Sequence, residues 1–413
     1  MSLLRTRLSQ FAREQRKKLR FRALNPLRYA IDSALMAFEA DAADVRSCRM
    51  LLISDAEAAT SEEQLNPFVL YRSDLRRNLK VVSMHMLVED ALRLPRLAFQ
   101  SFDVIGLKLS FRIPAARVSE MGRLIKTLAG NRPVVYFDGD DDACIMHPEI
   151  LSWVSAYVKK HVFTERGWYL QRFVGKSNLT HFVHCKYNYS FEDNPHAEEC
   201  RSVYYAHLHK IILGWNVALD SNIVGLFAKE TTQAKPMEKD VDIMLRGNVP
   251  KDWLFYLRKD IEPALEKLRS SFNVIVPRDR VSRDEYYREM MRSKICLSPF
   301  GYGEICWRDL EAILCGCLLI KPDMSHIKTV PNIFVANQTY VPVRWDYSDL
   351  EEKCTYYLRH EVERSRIARA GFEVLEGYYG RKGFLTSFAE ILGRLGAGSG
   401  RDQARRAAQA RVR

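Results

Sequence analysis

The sequence has no C-x-x-C pair, no internal repeat and no apolar run approaching the length of a membrane span. A spanning helix needs about 18 apolar residues in succession, so an integral helical membrane protein is excluded. The nine cysteines (Cys48, Cys144, Cys185, Cys200, Cys296, Cys306, Cys315, Cys317, Cys354) are odd in number and scattered, mostly within apolar stretches. That pattern excludes a disulfide scaffold and reads as reduced core cysteine in a cytosolic protein. No apolar core precedes a small-residue cleavage site near the N-terminus, so no secretory signal is expected. The N-x-S/T sequons at Asn178, Asn188 and Asn337 then say nothing about glycosylation.

A charge excess is missing from most of the chain. The formal net charge is +12 over 413 residues, but it sits at the ends. Residues 1–28 hold nine basic side chains against Glu14 alone, and residues 394–413 hold six against Asp402. The span between them is close to neutral. A nucleic-acid-binding protein would spread basic side chains and stacking aromatics over a domain face, and the neutral body speaks against that class. In the N-terminal segment, Arg and Lys interleave with Leu3, Leu4, Leu8, Phe11, Leu19 and Phe21. This is the composition of an interfacial helix on an anionic bilayer, or of a solvated helix that keeps the chain soluble.

What is present is an α/β rhythm, and it occurs twice. Met50 to Ser54, Val81 to Val88, Asp103 to Phe111 and Pro133 to Phe137 read as strands, with helices over Pro67 to Asn78 and Ala115 to Ala129. The rhythm restarts with strands at Val241 to Leu245, Asn273 to Val276, Ile295 to Leu297 and Leu318 to Lys321. Helices are expected over Trp253 to Ser270, Asp284 to Arg292 and Ile305 to Cys315. Strands spaced by helices make parallel sheets with both faces covered. The expected fold is therefore two doubly wound, Rossmann-like domains facing a central cleft, with C-terminal crossover helices. The organisation is a basic N-terminal helical segment (1–45), a first domain (46–225), a second domain with the crossover helices (226–393) and a basic tail (394–413). Such a cleft, between the carboxyl ends of two sheets, is a ligand site.

Lys294 to Lys321 is the densest segment. A strand runs into the loop Ser298, Pro299, Gly301, Gly303 and then into a helix expected to start near Glu304. Backbone N–H groups and a helix N-terminus there would suit a phosphate. Spacings of four and three place Glu304, Arg308 and Glu311 on one helix face. They make either a ligand-facing edge or a salt-bridge ladder.

The segment SPFGYGEICWRDLEAILCGCLLIKPDMSH, followed by TYVPVRWDYSDLEEKCTYYL, resembles the donor domain of GT-B glycosyltransferases, in particular the group-1-like and CgeB-like branch. The resemblance covers residues 240–380. It implies a nucleotide-sugar donor on the C-terminal domain, an acceptor on the N-terminal one, and no required cofactor. By the same resemblance Glu311 holds the donor ribose, while Gly301, Tyr302, Gly303 and Glu304 lie beside the diphosphate and sugar. The family's retaining members have seven residues between two glutamates; Glu304 and Glu311 have six between them, so retention does not carry over. Arg246, Gly247 and Lys251 follow the first strand of this module. Together with Arg308 they are candidates for the donor phosphates.

In the first module, Asp138, Gly139, Asp140, Asp141 and Asp142 follow a strand, with His147 beyond. Crowded carboxylates can raise one another's pKa toward that of a general base, hold a divalent cation, or cap a helix. A metal is not expected, because GT-B enzymes usually dispense with one. Asp138 or Asp140 is the expected acceptor base, with Glu304 the third catalytic candidate. Lys176 and Asn178 join His147 as acceptor-side candidates. The function expected overall is transfer of a sugar from a nucleotide-sugar donor to a glycan or lipid-linked acceptor. It would take place at the cytoplasmic membrane face, in cell-surface polysaccharide synthesis, with a non-catalytic sugar-nucleotide-binding subunit as the alternative.

Overall fold

The computed structural model describes residues 22–37, 47–55, 59–111, 113–192, 201–230, 237–247, 252–277, 279 and 281–396. The basic segment 1–21, Lys251 and the tail beyond 396 lie outside the described residues. The first half comprises α1 (residues 22–37), β1 (Cys48–Ser54), α2 (Ala59–Leu70), α3 (Arg72–Leu79), β2 (Val81–Leu87), α4 (Val88–Ala91), α5 (Arg96–Phe99), β3 (Val104–Lys108), α6 (Ala115–Ala129), β4 (Val134–Asp138), β5 (Ala156–Lys159), β6 (His161–Phe163), α7 (Asn178–Tyr187) and β7 (Ile211–Leu213). The second runs through α8 (Ser221–Glu230), β8 (Val241–Met244), α9 (Ile261–Leu268), β9 (Val274–Ile275), α10 (Arg283–Met291), β10 (Ser293–Leu297), α11 (Trp307–Leu314), β11 (Leu318–Pro322), β12 (Ile327–Thr329), β13 (Val341–Val343), α12 (Leu350–Arg359), α13 (Glu361–Gly380) and α14 (Gly383–Leu395).

Both large sheets are parallel throughout. The first has the order β2-β1-β3-β4-β5-β7 and the second β13-β11-β10-β8-β9. Counted within its own half, each sheet places its second strand outside its first, and the remaining strands follow on the other side. The order reverses between β1 and β3 in one half and between β8 and β10 in the other, and ligands of such sheets bind at that reversal. Strand residues alternate between two buried faces. In β1, Leu51 and Ile53 face one core while Met50 and Leu52 face another; in β10, Cys296 and Ile295 divide in the same way. Sheets covered on both sides require such continuous apolar strands.

A third, two-stranded sheet joins the halves. β6 from the first pairs antiparallel with β12 from the second, with Phe163 opposite Ile327 and His161 opposite Thr329. Thr164 extends the seam, its N–H donating to His326 O at 2.8 Å and its hydroxyl to Ser325 O at 2.9 Å. The crossover helices return as expected. Tyr379 of α13 donates to Ala218 O at 2.7 Å, and α14 packs Phe384 and Phe388 against Phe68 and Trp215 of the first half. The expected join at 225–226 falls inside α8, so the handover is not a loop at that point.

Two expected helices are divided. The stretch Pro67 to Asn78 breaks at Tyr71, whose ring stacks on Phe384 at 5.3 Å. The stretch Trp253 to Ser270 is a single turn (Trp253–Phe255), a bend, and then α9. Pro263 explains this: it has no N–H to donate backward, so it fits only the first turn of a new helix. The bend residues are used elsewhere, with Arg258 donating to Phe300 O and Asp260 accepting from Tyr187 OH.

The aromatic cluster under α14 should carry much of the first half's stability. Phe388 is fully buried, and Phe388→Ala is expected to cost roughly 3–5 kcal/mol. The shift of the urea unfolding midpoint measures it, and a loss under 1 kcal/mol would show that α14 does not complete that core.

Candidate functional site

The carboxyl ends of the first sheet present the aspartate loop, and each of its four acids meets its own lysine. Asp138 Oδ2 accepts from Lys159 Nζ at 2.7 Å and Tyr157 OH at 2.8 Å, and its Oδ1 accepts from Asp140 N at 2.8 Å. Asp140 pairs with Lys108 at 2.7 Å, Asp141 with Lys160 at 2.8 Å and Asp142 with Lys176 at 3.0 Å. Lys108, Lys159 and Lys160 stand in or beside strands and Lys176 in the turn before α7, and a buried ammonium needs a partner. The loop is therefore a set of ion pairs. Among the described residues no group of three or more His, Cys, Asp or Glu is placed to hold a metal ion.

Asp138 lacks the environment of a base. Burial would raise Asp138, but Lys159 and Lys108 outweigh it and hold its carboxyl at about 2. Asp142 is the acid with a raised value. Burial lifts it to about 6 and Glu304 adds to the shift, while Lys176 opposes it. Its Oδ1 is buried without a hydrogen-bond partner.

Glu304 does not stand on a helix. α11 begins at Trp307, and Asp309 closes its first turn by accepting from Cys306 N at 3.0 Å. Asp309 also takes Ser298 OH at 2.5 Å and Lys321 Nζ at 3.1 Å, all fully buried. The expected shared face of Glu304, Arg308 and Glu311 is thus lost, because the cap starts the helix three residues later than Glu304. Glu304 instead enters the seam between the halves, fully buried. Its Oε2 accepts from Ala143 N and faces His161 Nε2, both at 3.1 Å, and its Oε1 lies 3.6 Å from His326 Nε2. Burial drives His161 down to about 4, so its ring is neutral at pH 7 and donates through Nε2. Burial opposes ionisation of Glu304, but the two histidines hold it well below the usual carboxylate range. Gly303 makes this approach possible, since a Cβ there would lie 1.9 Å from Asp141 O.

At the β8/β10 reversal an open pocket is lined by Leu245, Gly247, Val276, Pro299, Arg258 and Arg308, among others. Burial and the neighbouring Arg308 both lower Arg258, as expected for two guanidinium groups held close together. Arg308 Nε is buried without a partner. Gly247 is where a side chain would meet Arg308, at 3.3 Å. Arg246 points elsewhere: Glu289 takes its guanidinium through two bonds of 2.8 Å, and the Asp279 carbonyl takes a third. It is an internal ion pair, and Arg258, which sequence spacing did not single out, takes its place in the pocket. Lys251 lies outside the described residues.

Glu311 is on α11 with its oxygens accepting from Tyr286 OH at 2.9 Å and Tyr287 OH at 3.2 Å; burial raises its carboxyl. Gly301 N donates to Gly303 O, turning the loop, while Tyr302 is half exposed with its hydroxyl on Asp252. On the acceptor side, Lys176 links Asp142 to Tyr302 O at 3.2 Å and lies over the rings of Trp253 and Tyr302. Asn178 opens α7, buried, with Nδ2 unpartnered, and His147 is buried near Glu149. His161 and the strand bearing it were missed. The signal available was the charged run Lys159–Lys160–His161 between apolar residues, which marks strand ends with buried pairs.

Residues 235–381 match a family described as glycosyl transferase-like. None of the curated proteins matches the chain. Among solved structures, the S. aureus MnaA–UDP co-structure aligns with a TM-score of 0.45 at 8% identity, over 84% of this chain and 97% of that one. A glycosyltransferase from Rickettsia africae aligns with a TM-score of 0.42 at 10% identity, over 85% and 99%. The second half thus carries glycosyl transferase-like sequence on one of two doubly wound α/β halves.

The lysine–aspartate pairs make a stability prediction. Lys159→Met leaves Asp138 buried and unpaired, at an expected cost of about 3–5 kcal/mol. Because the folded carboxyl titrates at about 2 against an ordinary 3.8, the pair's contribution is full above pH 3.8 and is lost as pH falls through about 2. Denaturant unfolding of both forms across that range measures it. A difference that stays constant with pH would exclude Asp138 as its source.

Proposed function

We propose that the protein is a glycosyltransferase that takes a nucleotide-sugar donor in the β8/β10 pocket and passes the sugar to a glycan or lipid-linked acceptor. The observation that carries this reading is the pair Arg258 and Arg308, held close at the reversal point of a sheet in the glycosyl transferase-like segment. Adjacent guanidinium groups repel until an anion sits between them, and a diphosphate fits that need bidentately. As the sugar leaves, the same charge stabilises the departing phosphate without a metal.

Binding is read by thermal shift against UDP-, GDP-, dTDP-, ADP- and CMP-linked sugars. A donor at a hundredfold excess over its Kd stabilises the fold by about 2.7 kcal/mol. One donor should raise the melting temperature, and Arg308→Gln should abolish the rise. A rise that survives in Arg308→Gln places the donor elsewhere, and no rise with any donor sinks the reading.

The acceptor reading places the enzyme on an anionic membrane face in polysaccharide synthesis. Support comes from the outer face of α1. Its inner side carries Met36 with Asn25 and Asp32, the latter paired with Arg72 and Arg76, while Leu27, Ile31 and Leu35 are exposed on the outer side at a spacing of four. No helix among the described residues is long and apolar enough to cross a membrane, so attachment would be interfacial, helped by the cationic residues 1–28. The full chain should float with anionic vesicles and not with neutral ones, and a triple Leu27→Ser, Ile31→Ser, Leu35→Ser variant should float at least tenfold less. Equal flotation by both proteins would remove α1 from the membrane contact.

A further inference from the structure

We propose that Asp142, rather than Asp138 or Asp140, takes the proton of the acceptor hydroxyl, and that transfer therefore inverts the anomeric centre. The assignment rests on the glycosyltransferase reading above and adds to it the acceptor subsite and the stereochemical course.

The geometry comes first. Asp138 accepts three hydrogen bonds, and Asp140 and Asp141 each face an ammonium. Asp142 is only 2% exposed, its Oδ2 is held by Lys176, and its Oδ1 has no donor. Two more buried polar groups nearby lack partners: Ser177 Oγ and Asn178 Nδ2, at the first turn of α7 next to Lys176. Asn178 reaches back toward the same loop through Cys144 Sγ at 3.9 Å. One acceptor oxygen, one hydroxyl and one amide N–H, all withdrawn from water and unanswered, suit a ligand with several hydroxyl groups, which is the chemistry of a sugar acceptor.

The location fits the donor as well. Lys176 spans the seam from Asp142 to Tyr302 O and lies over Trp253, two residues before Phe255 in the wall of the Arg258–Arg308 pocket. The acceptor O–H bond breaks as Asp142 Oδ1 takes the proton. The freed oxygen forms its bond to the anomeric carbon from the face opposite the phosphate. The bond from that carbon to the phosphate oxygen breaks, and its electron pair leaves with the nucleotide toward Arg258 and Arg308. One displacement at one carbon inverts it.

The groups facing Asp142 are Lys176 from the turn before α7, Asp141 from its own loop, and Glu304 from the glycine loop with His161 and His326 behind it. Burial, the largest influence, sets the carboxyl at about 6 against the pull of Lys176. The base form therefore predominates at pH 7 and is lost as pH falls through about 6.

The test uses the full chain with the donor found by thermal shift. Asp142→Asn should lower kcat by about 10²-fold or more while keeping the donor-induced shift, and it should erase the acid limb near pH 6 seen in the wild type. Proton NMR of the wild-type product should show the inverted anomer. A kcat within threefold of wild type, or a retained anomer, overturns the assignment but leaves the donor reading standing. A wild type that neither binds nor transfers from any donor overturns both. If Asp142→Asn does not fold, the charge-balanced Asp142→Asn, Lys176→Met pair is used; it should bind donor and remain inactive, and near-normal turnover by that pair also refutes the role.

Discussion

Burying charge at the carboxyl end of β4 is the constraint on which the rest of the structure depends. Four acids within five residues could not be withdrawn from water as bare carboxylates. The fold recruits one lysine for each, from β3, from β5 and the residue after it, and from the residue before the Ser177 cap of α7. Those lysines fix how three strands and a helix meet, and so determine the shape of the first half's ligand-facing edge. The last pair is also the point where the other half touches, since Lys176 continues to Tyr302 and Glu304 enters beside Ala143.

The two halves therefore do not behave as lobes on a bare hinge. The β6–β12 ribbon, the buried Glu304 and the return of α14 tie them at separate places. Interfaces inside a chain usually permit domain motion, and here such motion would have to expose an ionised glutamate or strip a strand from its partner. The pocket at the β8/β10 reversal lies within the second half and can fill without either change. The unpartnered groups of Asp142 and Asn178 lie by the seam, where a ligand could reach them only with some opening.

Much of this was legible in the sequence because periodicity reports burial. The α6 limits, the strands β1 to β4 and β8 to β11 and the two-module plan follow from apolar spacing alone. Side-chain partnerships were not legible. Spacing put Glu304 on a helix because it could not show that Asp309 caps the turn at Cys306. It put Arg246 at the donor because nothing local reveals Glu289, which lies 43 residues away. Asp142 is indistinguishable from Asp138 and Asp140 until the lysines are in place. Short strands such as β6 and β12 were missed since three residues carry no period, and their pairing spans the whole second module.

The return of α14 bears on how the protein is made. Residues 383–395 supply Phe384, Leu385, Phe388, Ile391 and Leu392 to a core whose other buried members, Tyr378 apart, lie between Cys48 and Leu219. During synthesis, at about 5–20 residues per second, the first half leaves the ribosome with one sheet face covered by α2 and α3 but not by α14. It must wait for more than 160 further residues before the helix that completes that cover exists. The nascent first half therefore exposes Phe68, Phe137 and Trp215 for on the order of ten seconds or more, a natural target for a chaperone that binds apolar surface. Arrival of α14, rather than completion of either sheet, closes that core.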